Sequence, residues 1–303
     1  MAQVAGITDF LSPETMRRLD QMQLRSRLVV EGFQVGMHAS PLKGSSVEFT
    51  DYRQYAKGDN LRLLDWKVLG RTERYYIKQF EEETNLRLHV LLDASGSMGY
   101  SSHMDLPTKY QYACKIAAAF GYLVTKQQDS LGLTVFDREI REHIPARSGP
   151  RHLRVVLERL GANQPKGRTD TAKALHAIAE MVFRRGLILM LTDLYDDPEA
   201  VFQAIAHFRK KMHDVILLQI LDPVELELSL PRSAIFVDME TGEKLELDPR
   251  AARLAYKEAL QKAIDNFRER CTILNVDYRL VSTGDPFEQF AVHYLAERRR
   301  MSL

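Results

Sequence analysis

The strongest constraint on the fold of this 303-residue chain is an alternation that runs from residue 86 to residue 300. Short apolar stretches at 86–92, 131–136, 187–192, 214–221 and 276–282 read as strands. Between and after them, 108–126, 150–160, 171–184, 198–210, 249–270 and 286–300 carry apolar residues at helical spacing. Residues 139–144 are expected to pair beside the second strand, and 234–247 reads as a hairpin around Glu240-Thr241-Gly242. Strands apolar at nearly every position are covered on both faces. The predicted fold class is therefore α/β, with a doubly wound, mostly parallel sheet flanked by helices.

Ahead of this region, Ser12-Pro13-Glu14 opens a helix predicted over 12–31, with Met16, Leu19, Met22, Leu24 and Leu28 on its apolar face. Residues 33–50 read as irregular. Residues 48–83 are dense in charge and aromatics, with strand-like pieces such as Tyr75-Tyr76-Ile77, and are expected to form a β-rich insert. The expected division is 1–84, an N-terminal helix and β-rich segment, and 85–303, the sheet domain.

With 42 basic and 41 acidic side chains the net charge is +1, which argues against whole-surface attraction to nucleic acid or anionic lipid. Cys114 and Cys271 form neither a disulfide framework nor a zinc pattern and read as buried, reduced thiols. The N-terminus lacks a signal-peptide pattern, and the longest apolar runs fall well short of the ~20 residues that span a bilayer. A cytoplasmic protein is expected.

In open α/β sheets, ligands bind beyond the carboxyl ends of the strands. The first strand ends in Asp93-Ala94-Ser95-Gly96-Ser97, whose alternate side chains share one direction. The apolar central strand ends in Thr192-Asp193. Gly167-Arg168-Thr169-Asp170-Thr171 precedes a helix and brings a further hydroxyl to the same edge. Two carboxylates and three hydroxyls form a hard-oxygen set suited to Mg²⁺, with Mn²⁺ or Ca²⁺ as alternatives, rather than Zn²⁺. Asp170 and Thr171 read as helix-capping groups. A lone Asp-x-Ser-x-Ser is usually a turn, but three segments in this order favour a metal site.

Asp93-x-Ser95-x-Ser97, Thr169 and Asp193 together resemble the metal-ion-dependent adhesion site of von Willebrand factor A domains, over about residues 86–300. The resemblance implies that Asp93, Ser95, Ser97, Thr169 and Asp193 hold the metal, some of them through water. Many members have glycine where this chain has Leu194.

A second resemblance lies upstream, in Ser46-x-Glu48-Phe49, Arg53-x-Tyr55-x-x-Gly58-Asp59-x-x-Arg62, Asp65-Trp66-Lys67 and Gly70-Arg71-Thr72. These resemble the signature of a bacterial family of unknown function, usually encoded beside MoxR-type AAA+ ATPases, with a von Willebrand A-like domain downstream. The resemblance implies a MoxR-type ATPase as partner and a client protein that supplies an Asp or Glu to the metal. Many relatives carry transmembrane helices upstream of the signature, but here it begins so early that no membrane anchor is expected.

Between Arg53 and Lys78, seven basic and three acidic residues give a net of +4, interleaved with Tyr52, Tyr55, Trp66, Tyr75 and Tyr76. A nucleic-acid surface has this composition. A compact insert with paired charges and packed aromatics explains it better, and Glu81-Glu82-Glu83 would repel phosphate. Arg298-Arg299-Arg300 reads as the basic last turn of a helix.

No catalytic triad, Gly-x-Ser-x-Gly, phosphate-binding loop or dinucleotide fingerprint is present. The expected function is a non-enzymatic, Mg²⁺-dependent protein-interaction adaptor, working with the ATPase in remodelling or maturation of a client. The alternatives are a metal-dependent phosphatase-like hydrolase and nucleic-acid binding through residues 53–78.

Overall fold

The computed structural model describes residues 6–20, 47–54, 66–72, 74–82, 86–167, 171–230, 234–237, 242 and 244–301. Contacts divide the chain into two units, one combining Met1–Val30 with Leu86–Leu303 and the other spanning Glu31–Asn85. The first helix, α1 (Pro13–Leu19), is capped by Ser12, whose hydroxyl accepts a hydrogen bond from the Thr15 amide at 3.1 Å. Leu11 and Leu19 are buried in the core of the sheet unit, so α1 belongs to that core. The rest of the helix predicted over 12–31 lies outside the described residues.

In the smaller unit, β1 (Val47–Gln54) and β2 (Tyr76–Glu82) pair antiparallel, with Phe49 opposite Phe80, Gln54 opposite Tyr76 and a register shift between Phe49 and Asp51. Between them in sequence lies α2 (Trp66–Thr72). This part of the segment is thus helical where a β-rich insert was expected. Trp66 and Tyr75 are exposed, whereas the compact-insert reading had them packed.

The larger unit continues through β3 (Arg87–Asp93), α3 (Lys109–Lys126), β4 (Ser130–Phe136), β5 (Ile140–Arg147), α4 (Pro150–Ala162), α5 (Thr171–Met181), β6 (Leu187–Thr192), α6 (Pro198–Lys210), β7 (Asp214–Leu221) and α7 (Pro223–Glu227). A hairpin of β8 (Ala234–Val237) and β9 (Lys244–Leu247) follows, then α8 (Pro249–Ile273), β10 (Asp277–Ser282) and α9 (Phe287–Met301). Among the described residues the main sheet has six strands in the order β10-β7-β6-β3-β4-β5, all parallel except the antiparallel edge strand β5. The α/β class and the mostly parallel, helix-covered sheet are as expected.

The sheet is covered on both faces because its strands are apolar on both. Leu88, Val90, Leu92, Leu187, Leu189, Leu191, Ile216 and Leu218 face the core shared with α1, α3, α4 and α9. The alternate residues Leu91, Ile188, Met190, Val215 and Leu217 face α5, α6 and α8. Each such side chain contributes roughly 1.5–3 kcal/mol on burial. Cys114 and Cys271 are free and buried, and burial pushes both thiols up to about 12.

Polar groups hold the opposite, amino-terminal edge of the sheet. Arg298 is buried, and its guanidinium donates to Asp214 at 2.7 Å and Asp277 at 2.8 Å, the first residues of β7 and β10. Tyr294 also donates to Asp277. Arg298 is therefore an internal clamp that ties α9 to two strands, and not part of a solvated basic last turn. Nearer the middle, His89 on β3 is buried with Nε2 lacking a partner among the described residues. Burial first, then neighbouring positive groups, pushes it down to about 4.

Two predictions follow from these groups. Arg298→Ala removes the guanidinium shared by two buried carboxylates, so chemical denaturation is expected to show a loss of about 3–5 kcal/mol, while removal of the exposed Arg268 leaves the midpoint unchanged. His89 stays neutral in the fold down to about pH 4, whereas the unfolded chain protonates its histidines near pH 6.5. Its contribution is complete above pH 6.5 and is lost as pH falls toward 4. His89→Leu is expected to lose less stability between pH 7 and pH 5, by on the order of 2 kcal/mol.

Candidate metal centre at the carboxyl edge of the sheet

The apolar strands β3 and β6 are adjacent and parallel, so their carboxyl ends deliver Asp93 and Asp193 to the same edge. Asp93, Ser95 and Asp193 are buried. After β3 the chain turns at once: Asp93 Oδ1 accepts from the Ser95 amide at 2.9 Å, and residues Gly96–Gly99 form one turn of 3₁₀ helix. This turn places Ser95 Oγ and Ser97 Oγ 3.1 Å apart. The other Asp93 oxygen accepts from Thr192 Oγ1 at 2.7 Å, and the Leu194 amide donates to the same hydroxyl at 3.1 Å.

The loop leading to α5 is pinned against this turn. The Lys166 amide donates to the Ala94 carbonyl and the Gly96 amide to the Gly167 carbonyl, each at 3.0 Å. Arg141 clamps the same loop through the carbonyls of Gln164 and Lys166 while paired with Asp137. Thr169 and Asp170 lie outside the described residues. Thr171, at the start of α5, donates its amide to Asp196 at 2.6 Å, and its buried hydroxyl finds no partner among the described residues. Asp197 caps α6.

After β6, Leu194 adopts a left-handed φ of +62°. Glycine is the residue that most readily takes this conformation, and here it is held by a leucine whose side chain is buried. The turn aims the Asp193 carboxylate across the sheet edge, while Gln219 of β7 donates to its carbonyl at 3.1 Å.

Three residues of this edge escape the strand-end pattern. Thr192 locks Asp93 in place. Lys109, the first residue of α3, is completely buried and donates to Asp193 Oδ2 at 2.8 Å and to Glu225 Oε1 at 2.6 Å. Glu225 completes the capping box of α7, its other oxygen accepting from the Asp222 amide at 2.7 Å. Two signals for them exist in the sequence. A lysine directly after the helix cap Thr108 stands where the helix dipole disfavours a cation. Asp222-Pro223-Val224-Glu225 follows an apolar strand in capping-box spacing.

The buried charge at this edge is not balanced. Among the described residues the Lys109 ammonium pairs with Asp193 and Glu225, and Asp93 has no cation partner. Burial opposes the ammonium, but the pull of Asp193 and Glu225 outweighs it and lifts its pKa above the ordinary lysine value. Burial, then the nearby charge of Asp193, pushes the Asp93 carboxyl up to about 7. Paired carboxylates and two hydroxyls, with more buried carboxylates than cations around them, form a hard-oxygen set that fits a divalent cation.

The fold and site define an α/β protein with a doubly wound sheet and an oxygen-lined, negatively charged centre at its carboxyl edge. Residues 51–265 match the family described as "Protein of unknown function DUF58", and the chain belongs to that family. Uncharacterized proteins of Mycobacterium tuberculosis and Mycobacterium bovis are 26% identical over 248 residues, spanning 80% of this chain and 76% of theirs. Two solved structures are similar over 71% of this chain. One is the conserved hypothetical protein BatB from Bacteroides thetaiotaomicron, 14% identical, with 99% of that chain covered and a TM-score of 0.43. The other is an aerotolerance-related membrane protein from Bacteroides fragilis, 16% identical, with 100% of that chain covered and a TM-score of 0.46. Among the described residues no helix is long and apolar enough to cross a membrane.

If Asp93 carries uncompensated buried charge, its neutral isostere relieves it. In chelator at pH 8, Asp93→Asn is expected to raise unfolding stability by on the order of 2 kcal/mol. Chemical denaturation of the two proteins checks this, and a less stable variant would contradict it.

Proposed function

We propose that the sheet unit is a von Willebrand A-like binding module in which Asp93, Ser95, Ser97, Thr169 and Asp193 hold Mg²⁺ and present it to a carboxylate of a partner protein. The observation that carries this reading is the meeting of the Asp93-Ser95-Ser97 turn with Asp193 at one sheet edge, in a site with more buried carboxylates than cations. A bound Mg²⁺ supplies a Lewis-acidic position open to one acidic oxygen. The chain's own residues do the remainder. Asp93 and Asp193 supply the charge, and Ser95 and Ser97 supply neutral oxygens that leave much of the ion's charge for the partner. Thr192 and the Ser95 amide fix the Asp93 carboxylate in one orientation.

The role proposed is binding rather than catalysis, in the cytoplasm. A MoxR-type AAA+ ATPase is the proposed working partner, with this chain as the adaptor that delivers a client for remodelling or maturation. The resemblance of the 46–72 signature supports that partnership, and the adhesion-site pattern supports capture through an acidic residue.

The test is capture of partners by the tagged protein with and without chelator. Asp93→Ala combined with Ser95→Ala is expected to abolish the Mg²⁺-dependent fraction, which includes the ATPase or its client, while circular dichroism stays unchanged. Equal capture by the double variant and the wild type, in Mg²⁺ and in chelator alike, would reject metal bridging.

A further inference from the structure

A metal-binding role does not require Lys109. An ordinary oxygen-lined site would leave Asp193 to the ion and water. Here a completely buried ammonium bonds Asp193 Oδ2 at 2.8 Å, at a helix start that disfavours positive charge. The same ammonium bonds Glu225 Oε1 at 2.6 Å and lies 4.9 Å from the centre of the Tyr195 ring. Among the described residues Asp193 Oδ1 accepts one long bond, from the Tyr195 amide at 3.4 Å. Among the described residues one oxygen of Asp193 is thus committed to Lys109, and the other is only weakly engaged.

We propose that Lys109 is a built-in counter-cation that sets the divalent-ion affinity of the site, competing with Mg²⁺ for the charge of Asp193. The inference rests on the metal reading above. In the metal-free chain Lys109 offsets the charge of Asp193 and Glu225. Toward an incoming ion it is a repelling charge, so affinity is lowered and the site is readily emptied. Glu225 makes the competition reversible. It is held rigidly by the Asp222 amide at 2.7 Å and keeps a bond to the ammonium when the charge of Asp193 is drawn elsewhere. The arrangement suits a module that must release its partner, since capture through the ion lasts only while the ion is held.

Two variants of the full chain, titrated with Mg²⁺ alone by isothermal calorimetry, test this. Lys109→Met keeps an unbranched side chain, one atom shorter, and removes its charge, and is expected to tighten Mg²⁺ binding at least about tenfold. Glu225→Gln leaves the ammonium with Asp193 as its one carboxylate, and is expected to weaken binding at least about tenfold. Equal or weaker binding by folded Lys109→Met would make Lys109 a strut that positions Asp193, and would overturn the proposal. If Lys109→Met does not fold, Glu225→Gln decides, and unchanged or tighter binding overturns the proposal. In both of those outcomes the wild type still binds Mg²⁺ and the metal reading stands. Absence of Mg²⁺ binding in the wild type and both variants rejects the metal reading itself, and this inference with it.

Discussion

Excess negative charge buried at the carboxyl edge of the sheet is the interaction on which the account turns. Two like charges about 4 Å apart near a protein surface repel by roughly 4 kcal/mol, and desolvation adds to that. The fold tolerates Asp93, Asp193 and Glu225 together because a single lysine bridges two of them and because burial raises the Asp93 carboxyl to about 7, so that it is only partly ionised at neutral pH. Such an arrangement has to be held by a rigid scaffold. The scaffold is the sheet, apolar on both faces and closed by helices on both sides.

The two edges of that sheet use buried charge differently. At the amino-terminal edge one guanidinium meets both carboxylates at 2.7 and 2.8 Å and Tyr294 donates a further hydrogen bond, so the cluster is closed and serves stability. At the carboxyl edge the ammonium is shared, the serine hydroxyls bond mainly to each other, and the exposed Tyr195 stands beside the ammonium. That contrast supports the second edge as the proposed ligand site. Its chemistry matches the position where α/β sheets place their ligands.

The sheet was legible in the sequence because its information is local. Continuous apolar runs bounded by caps mark β6 and β7, and helical spacing marks α3 and α6, within a residue or two of where they stand. The placement of Asp93, Ser95, Ser97 and Asp193 at the carboxyl edge was legible for the same reason: each lies at or within a few residues of the end of an apolar strand. The pairings that give the site its charge were not. Lys109 lies 84 residues from Asp193 and 116 from Glu225, and no local pattern records such distances. Arg298 was misread likewise, because three consecutive arginines look alike until Asp214 and Asp277 are brought to one of them. The helix within residues 48–83 was missed because charge and aromatics there mask its period.

The most direct test of the central claim is anomalous X-ray scattering from crystals equilibrated with Mn²⁺ in place of Mg²⁺. The account predicts a single strong peak within coordination distance of Ser95 Oγ and Ser97 Oγ, between Asp93 and Asp193. A peak elsewhere on the molecule, or none at saturating Mn²⁺, would contradict it.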